Sequence, residues 1–369
     1  MNDNVDVRYM RLALCEARKG VGRTSPNPCV GAVIVKDGQV IAKGYHQKAG
    51  TPHAEINALR AARQSVHGAT MYVTLEPCNH TGRTPPCTKA IIESGLARVV
   101  IALRDPNPLV DGTGMAFLAA HGIEVVFGVL EEQCRELNLF FIKHISTGLP
   151  WVILKAGVSL DGRLNYQRGQ SGWITGPEAV AKTHRLRDQV DAILVGSGTV
   201  KIDNPSLTTR LASGRGRDAR RVVIDSDLSS SLDSRVYTLE SQSQTWVFCR
   251  ENAPAERRDA FESKKIRVIP VSGERHGVCL KEVVTKLGQE GVCSLLVEGG
   301  ARIHGAFLKE RLADFAHLLY APIFAGDGGV PLVESFTAQD RHSAPRLTGV
   351  RLCRLGEDIL LSGKLLYPA

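Results

Sequence analysis

Residues 52–87 read P-H-A-E-I-N-A-L-R-A-A-R-Q-S-V-H-G-A-T-M-Y-V-T-L-E-P-C-N-H-T-G-R-T-P-P-C, and the rest of the chain is read outward from them. His53 and Glu55 stand two apart, Cys78 follows Pro77, and Cys87 closes the stretch after eight intervening residues. One imidazole and two thiolates can hold a zinc ion and leave a fourth position open to water, with Glu55 beside it as a proton carrier. On a continuous helix, residues two apart point roughly 200° from each other, so His53 and Glu55 could not face one ion. Pro52 biases the preceding residue towards extended structure, which puts His53 at a helix entrance in non-helical geometry and lets the two side chains converge. Pro85–Pro86–Cys87 likewise reads as a loop entering a helix, so each ligand-bearing segment brings a helix N-terminus that favours thiolate and bound hydroxide.

Alternating elements surround this stretch. Met10, Leu14 and Ala17 recur at helical spacing, 29–46 reads as a hairpin turning at 36–39, and 54–66 as an amphipathic helix through Ile56, Leu59 and Ala62. Strands are expected at 70–75 and 98–103, a helix at 131–145, and a linker at 146–150. Helices alternating with strands imply a sheet covered by helices.

The second part begins with a buried strand at 151–158 that carries Lys155. A helix is expected at 177–188 and strands at 192–195, 221–224, 245–249, 266–271 and 294–297. Two strands run into glycine turns, Gly196–Ser197–Gly198–Thr199 and Glu298–Gly299–Gly300, the second opening a helix at 301–312; such turns let backbone amides approach phosphates. Strands at 315–323, 347–354 and 359–366 close the chain, the last two antiparallel.

The 369 residues fit two domains, 1–146 and 147–369. No apolar run approaches the roughly 20 residues needed to span a bilayer, and the polar start lacks a signal-peptide pattern, so a cytoplasmic protein without a membrane partner is expected. Nine dispersed cysteines do not form a disulfide framework; Cys15, Cys134, Cys249, Cys279, Cys293 and Cys353 are expected to pack as small apolar groups. A net charge of +8 suits anionic partners in general, but the basic residues are scattered and aromatics are only 5%, so it does not select nucleic acid, and phosphorylated small molecules would be served equally well.

The zinc nucleobase-deaminase signature is H-x-E followed by P-C-x-x-C, and the chain departs from it by its eight-residue cysteine spacing. A structural zinc site closed by His80 or Cys29, a non-catalytic zinc module, unliganded core residues and a base deaminase acting on nucleic acid are the competing readings. The runs T-S-P-N-P-C-V-G-A-V-I-V (24–35), G-Y-H-Q-K-A-G-T-P-H-A-E (44–55) and T-L-E-P-C-N-H-T-G-R-T-P-P-C (74–87) resemble the deaminase half of the bifunctional deaminase-reductases of riboflavin biosynthesis, in which the long cysteine spacing is the norm. Four further runs resemble the reductase half: K-A-G-V-S-L-D-G-R (155–163), S-G-W-I-T-G (171–176), V-G-S-G-T-V-K-I-D-N-P-S-L-T-T-R (195–210) and L-V-E-G-G-A-R-I-H-G-A-F-L (296–308).

The resemblance implies an α/β protein: a cytidine-deaminase-like three-layer α/β/α domain followed by a dihydrofolate-reductase-like α/β domain. It implies zinc on His53, Cys78 and Cys87 with Glu55 catalytic, and Asn27, His46, His80 and Arg83 holding a phosphorylated diaminopyrimidinone whose amino group becomes a carbonyl. For the second half it implies NADPH against Gly157, Trp173, Thr199, Asp203, Ser226 and Gly300, Ala301, Arg302, Ile303, His304, Gly305 and Ala306. Ser171, Arg187, Leu207, Arg210 and Glu298 would hold the ribosyl phosphate substrate, Arg187 and Arg210 offering planar forks to the phosphate. Lys155, Asp203 and Glu298 are candidates for polarising or protonating the sugar as hydride reaches C1'. A homo-oligomer, dimer or tetramer, is expected.

Overall fold

The structure is a computed structural model describing residues 3–80, 85–107, 112–214, 216–274 and 277–368; Arg83 lies outside the described residues. The chain separates into two compact units, Met1–Gly148 and Leu149–Ala369.

The first unit contains α1 (Asp3–Arg18), β1 (Gly31–Lys36), β2 (Gln39–Tyr45), α2 (Ala54–Ala61), β3 (Thr70–Val73), α3 (Cys87–Glu93), β4 (Arg98–Ile101), α4 (Thr113–Ala120), β5 (Glu124–Phe127), α5 (Glu131–Leu137) and α6 (Leu139–Thr147). Its sheet runs β2-β1-β3-β4-β5; β1 is antiparallel to both neighbours, and β3, β4 and β5 are parallel. Two glycines show why helices cover both faces. A Cβ on Gly31 would meet the backbone of Ala13 and Ala17 in α1, and one on Gly44 would meet that of Ala54 and Ala58 in α2. Gly44 pairs with Ala32, the neighbour of Gly31, so the two glycines point to opposite faces and α1 and α2 lie on opposite sides. A strand covered twice is apolar throughout, which accounts for the unbroken buried run Gly31–Val35. Arg98 on β4 makes paired bonds of 2.9 and 2.8 Å to Asp6 of α1, which also accepts from Tyr72 of β3 at 2.7 Å, tying helix to sheet.

Three expectations change here. The helix beginning at Ala54 stops at Ala61 because Ala62 turns extended. The expected helix over 131–145 is two helices broken at Asn138, whose buried amide accepts from Cys29 N at 2.7 Å and donates to Cys29 O at 3.1 Å. Of the six cysteines expected to pack away, Cys15 and Cys353 are exposed and Cys279 is half-buried.

The second unit contains β6 (Trp151–Val158), α7 (Pro177–Gln189), β7 (Ala192–Gly196), α8 (Ser197–Asp203), β8 (Arg220–Ile224), α9 (Arg235–Thr238), β9 (Thr245–Arg250), α10 (Ala255–Ser263), β10 (Arg267–Val271), the pair β11 (Gly273–Glu274) and β12 (Gly277–Val278), α11 (Leu280–Gln289), β13 (Ser294–Val297), α12 (Ala301–Lys309), β14 (Phe315–Tyr320), β15 (Arg346–Leu355) and β16 (Asp358–Leu366). Nine strands form one sheet, β10-β9-β8-β7-β13-β6-β14-β16-β15; the strands from β10 to β14 are parallel and β16 is antiparallel to its neighbours. The chain starts centrally at β6, builds outward from β7 to β10, and returns to place β13 between β7 and β6. The order therefore reverses at β13, and ligands of open parallel sheets bind beyond the carboxyl ends of strands at such a point. No described helix is long and apolar enough to cross a membrane.

Candidate functional site

His53 is the N-cap of α2, with φ −71° and ψ 168°, and Cys87 is the first residue of α3, so both stand where helices begin. The Nδ1 of His53 lies 3.5 Å from Cys78 Sγ and 3.3 Å from Cys87 Sγ, and the three atoms lie within 4.8 Å of one another. Zinc bonds of about 2.3 Å to sulfur and 2.0–2.1 Å to nitrogen at tetrahedral angles bring S and N to about 3.6 Å, so the donor set fits that ion. The hydrogen bond from Cys87, with help from His53, lowers the Cys78 pKa to about 4, the thiolate form a metal takes. Glu55 is buried in the first turn of α2; burial raises its pKa to about 7, and the Cys78 thiolate adds to the rise.

The cavity in front of these groups is about 330 Å³ and is lined by Asn27, His46, Glu55 and His80, with Asp105, Asn107 and Phe141 on its walls. His46 is buried, and its Nδ1 lies 3.2 Å from the carbonyl of Pro52, which can only accept; Nδ1 therefore carries the proton. Its Nε2 is then free to accept from Asn27 Nδ2 at 3.1 Å, and burial lowers the pKa of the ring, consistent with this neutral tautomer. His80 is exposed at the rim.

Sequence reasoning passed over Glu76, although it sits inside a quoted run. Its buried carboxylate accepts backbone N–H bonds from Asp105 (3.3 Å), Gly112 (3.0 Å), Gly114 (3.0 Å) and Met115 (3.2 Å), fastening the start of α4 behind Cys78. A Cβ on Gly114 would sit 2.1 Å from Pro77 O, so only glycine permits this approach. Nothing in the spacing of the chain announces four donors converging from beyond residue 104.

In the second unit a cavity of about 510 Å³ opens at the carboxyl ends of β7, β8 and β13. Thr199, Asp203, Ser226, Gly300, Ala301, Arg302, Ile303 and Ala306 line it, as do Gly196 at the end of β7 and Gly198 in the first turn of α8, where the sequence predicts a turn. Gly157, Trp173, His304 and Gly305 do not. Gly157 lies within β6 against Thr175, and Trp173 is 63% exposed. His304 turns to the carbonyl of Leu332 at 3.2 Å, and Gly305 touches Glu334 so closely that a Cβ would fall 1.7 Å from its carbonyl oxygen.

The expected phosphate fork on Arg187 is engaged elsewhere. Its Nε and Nη2 donate to Glu298 at 2.8 and 2.7 Å, and its Nη1 donates to Thr208 O at 3.0 Å. Burial pushes the Glu298 pKa up, but the charge and hydrogen bonds of Arg187 outweigh it and hold the carboxylate at about 2. Arg210 is exposed and spends Nη1 on Ser206 Oγ and Thr208 Oγ1, both at 3.0 Å. Leu207 is buried with φ +51°, and Ser171 is exposed. Lys155 is half-buried on β6, where burial lowers its pKa and the Glu298 charge opposes the shift.

Residues 3–103 match the family model of the cytidine and deoxycytidylate deaminase zinc-binding region, and residues 150–361 that of the RibD C-terminal domain. The riboflavin biosynthesis protein RibD of Bacillus amyloliquefaciens is 41% identical over 96% of this chain and 95% of its own, and that of Escherichia coli 39% over 96% and 98%. Among solved structures, Acinetobacter baumannii RibD covers 99% of both chains with a TM-score of 0.88 and 35% identity. A Thermotoga maritima diaminohydroxyphosphoribosylaminopyrimidine deaminase/5-amino-6-(5-phosphoribosylamino)uracil reductase covers 99% of this chain and 100% of its own, with a TM-score of 0.85 and 36% identity. The chain belongs to the RibD family, the bifunctional deaminase-reductases of riboflavin biosynthesis.

Proposed function

We propose that residues 1–146 deaminate 2,5-diamino-6-(5-phosphoribosylamino)pyrimidin-4(3H)-one at a zinc centre, and that residues 147–369 reduce the resulting 5-amino-6-(5-phosphoribosylamino)uracil with NADPH. The observation that carries the first step is the convergence of His53, Cys78 and Cys87 beside the buried Glu55. Zinc held by these three residues would supply a Lewis acid that lowers the pKa of a water towards ~7. Glu55 takes a proton from the attacking water, delivers it to the ring nitrogen, and then serves the departing amine. The amide of Asn27, oriented by neutral His46, keeps its Oδ1 and second N–H for the base.

For the second step, NADPH would lie across the glycine turns at the ends of β7 and β13 and supply the hydride. As hydride reaches C1' of the opened ribosylamine, the nitrogen must gain a proton. Glu298, held ionised by Arg187, has none to give at neutral pH. Lys155 has a cationic head with a depressed pKa and is the better donor, while Arg210 takes the phosphate. The test is Glu55→Gln: zinc content by metal analysis stays near one per chain, ammonia release is lost, and NADPH oxidation with supplied deaminated intermediate continues. Ammonia release at the wild-type rate would remove Glu55 from the mechanism.

A further inference from the structure

Two groups on one face of α7 hold the segment that carries Arg210. Arg187 donates to Thr208 O at 3.0 Å, and His184, one turn earlier and 4% exposed, accepts the backbone N–H of Arg210 on Nδ1 at 3.2 Å. The segment needs holding because Asn204 and Leu207 both have positive φ, +41° and +51°, a conformation that non-glycine residues adopt only where their surroundings enforce it. Ser206 and Thr208 then fix the Arg210 guanidinium through their hydroxyls.

We infer that His184 is a positioning residue for the reductase reaction: its neutral imidazole, with Nδ1 bare, fixes the Arg210 main chain so that the guanidinium meets the substrate phosphate. The inference rests on the proposed role of Arg210. An N–H donor on Nδ1 requires the proton on Nε2, and an imidazolium would set donor against donor. Burial first, and then the charges of Arg187 on the same helix, Arg210 in the loop and Lys155 on β6, keep the ring neutral against the opposing charge of Glu298.

The test compares His184→Asn, His184→Gln, His184→Leu, Arg210→Ala and the Leu/Ala double variant, with NADPH oxidation measured against 5-amino-6-(5-phosphoribosylamino)uracil. The Asn Oδ1 can reach the place of Nδ1, whereas the Gln oxygen cannot, so the two amides separate acceptor geometry from polarity. Leu and Gln are expected to raise KM about tenfold with kcat nearly unchanged, the loss of one buried hydrogen bond. Asn should restore KM to within about twofold, and the double variant should be no worse than Arg210→Ala alone. Ammonia release by the other half is read in parallel as a check on folding. Wild-type KM in the Gln variant, or additive losses in the double variant, would overturn the positioning role while leaving Arg210 in place. Wild-type KM in Arg210→Ala would overturn the phosphate reading itself.

Discussion

Arg187 and Glu298 show how a residue that looks available in sequence is committed in the fold. With side chains about one-tenth exposed, their paired hydrogen bonds stand in place of hydration. Removing the acid leaves a buried guanidinium without its counter-charge, which costs about 3–5 kcal/mol. Glu298→Ala is therefore expected to lower the Tm by roughly 10 °C, at about 2–4 °C per kcal/mol, measured by calorimetry. A Tm unchanged within 2 °C would mean that solvent reaches the pair. His184 gives a second prediction of known sign. Its folded pKa is lowered to about 4 from 6.5, burial first and then Arg187, so the unfolded chain binds the extra proton between these values. Its contribution to stability is complete above about pH 6.5 and is lost as pH falls towards 4. The Tm of the wild type should decline more over that interval than that of His184→Asn, which has no proton to gain; parallel curves would refute the shift.

At the scale of elements, periodicity located most helices and strands but not the events that end them. The amphipathic pattern over 131–145 is continuous, yet the helix breaks because Asn138 bonds a main chain 109 positions away, a contact that no local pattern encodes. Conversely, Pro52 marked the entrance of α2 locally, because proline restricts its neighbour whatever the tertiary structure. Gly44 links an element contact to the site. A Cβ there would stand 2.3 Å from Ala58 N and 2.6 Å from Ala54 O, backbone that cannot rotate aside. Gly44→Ala must push α2 off the sheet, and α2 carries Glu55 and begins at His53. Overpacking of this kind costs about 1–3 kcal/mol. The variant should lose both Tm and zinc occupancy, by calorimetry and metal analysis on the same sample; full zinc content with lowered Tm would show that the ligands do not depend on the seating of α2.

For the whole molecule, the chemistry was more legible than its supports. The metal donors are residue types with few other uses in such a sequence setting, whereas glycines at strand ends are common for steric reasons and became legible only as a pair and through the resemblance. Glu76, His184 and the engagement of Arg187 emerge only when distant segments meet, and a buried carboxylate accepting four amides has the same letter as an exposed one. The described lining of each cavity comes from one unit alone, with His53, Glu55 and Cys78 in the first and Gly196, Gly198 and Gly300 in the second. Chelation should therefore divide the two activities. Zinc held by His53, Cys78 and Cys87 would depend on thiolates and an imidazole that must outcompete protons, so a strong chelator at mildly acid pH should remove it most readily. After such treatment, ammonia release from the diaminopyrimidine substrate should vanish, while NADPH oxidation with the deaminated intermediate should keep its kcat and KM to within about twofold, since the candidate donors His53, Cys78 and Cys87 all lie in the first unit. Restoring zinc should return ammonia release. NADPH oxidation that fell in step with zinc loss would show that the second chemistry requires the first centre to be loaded.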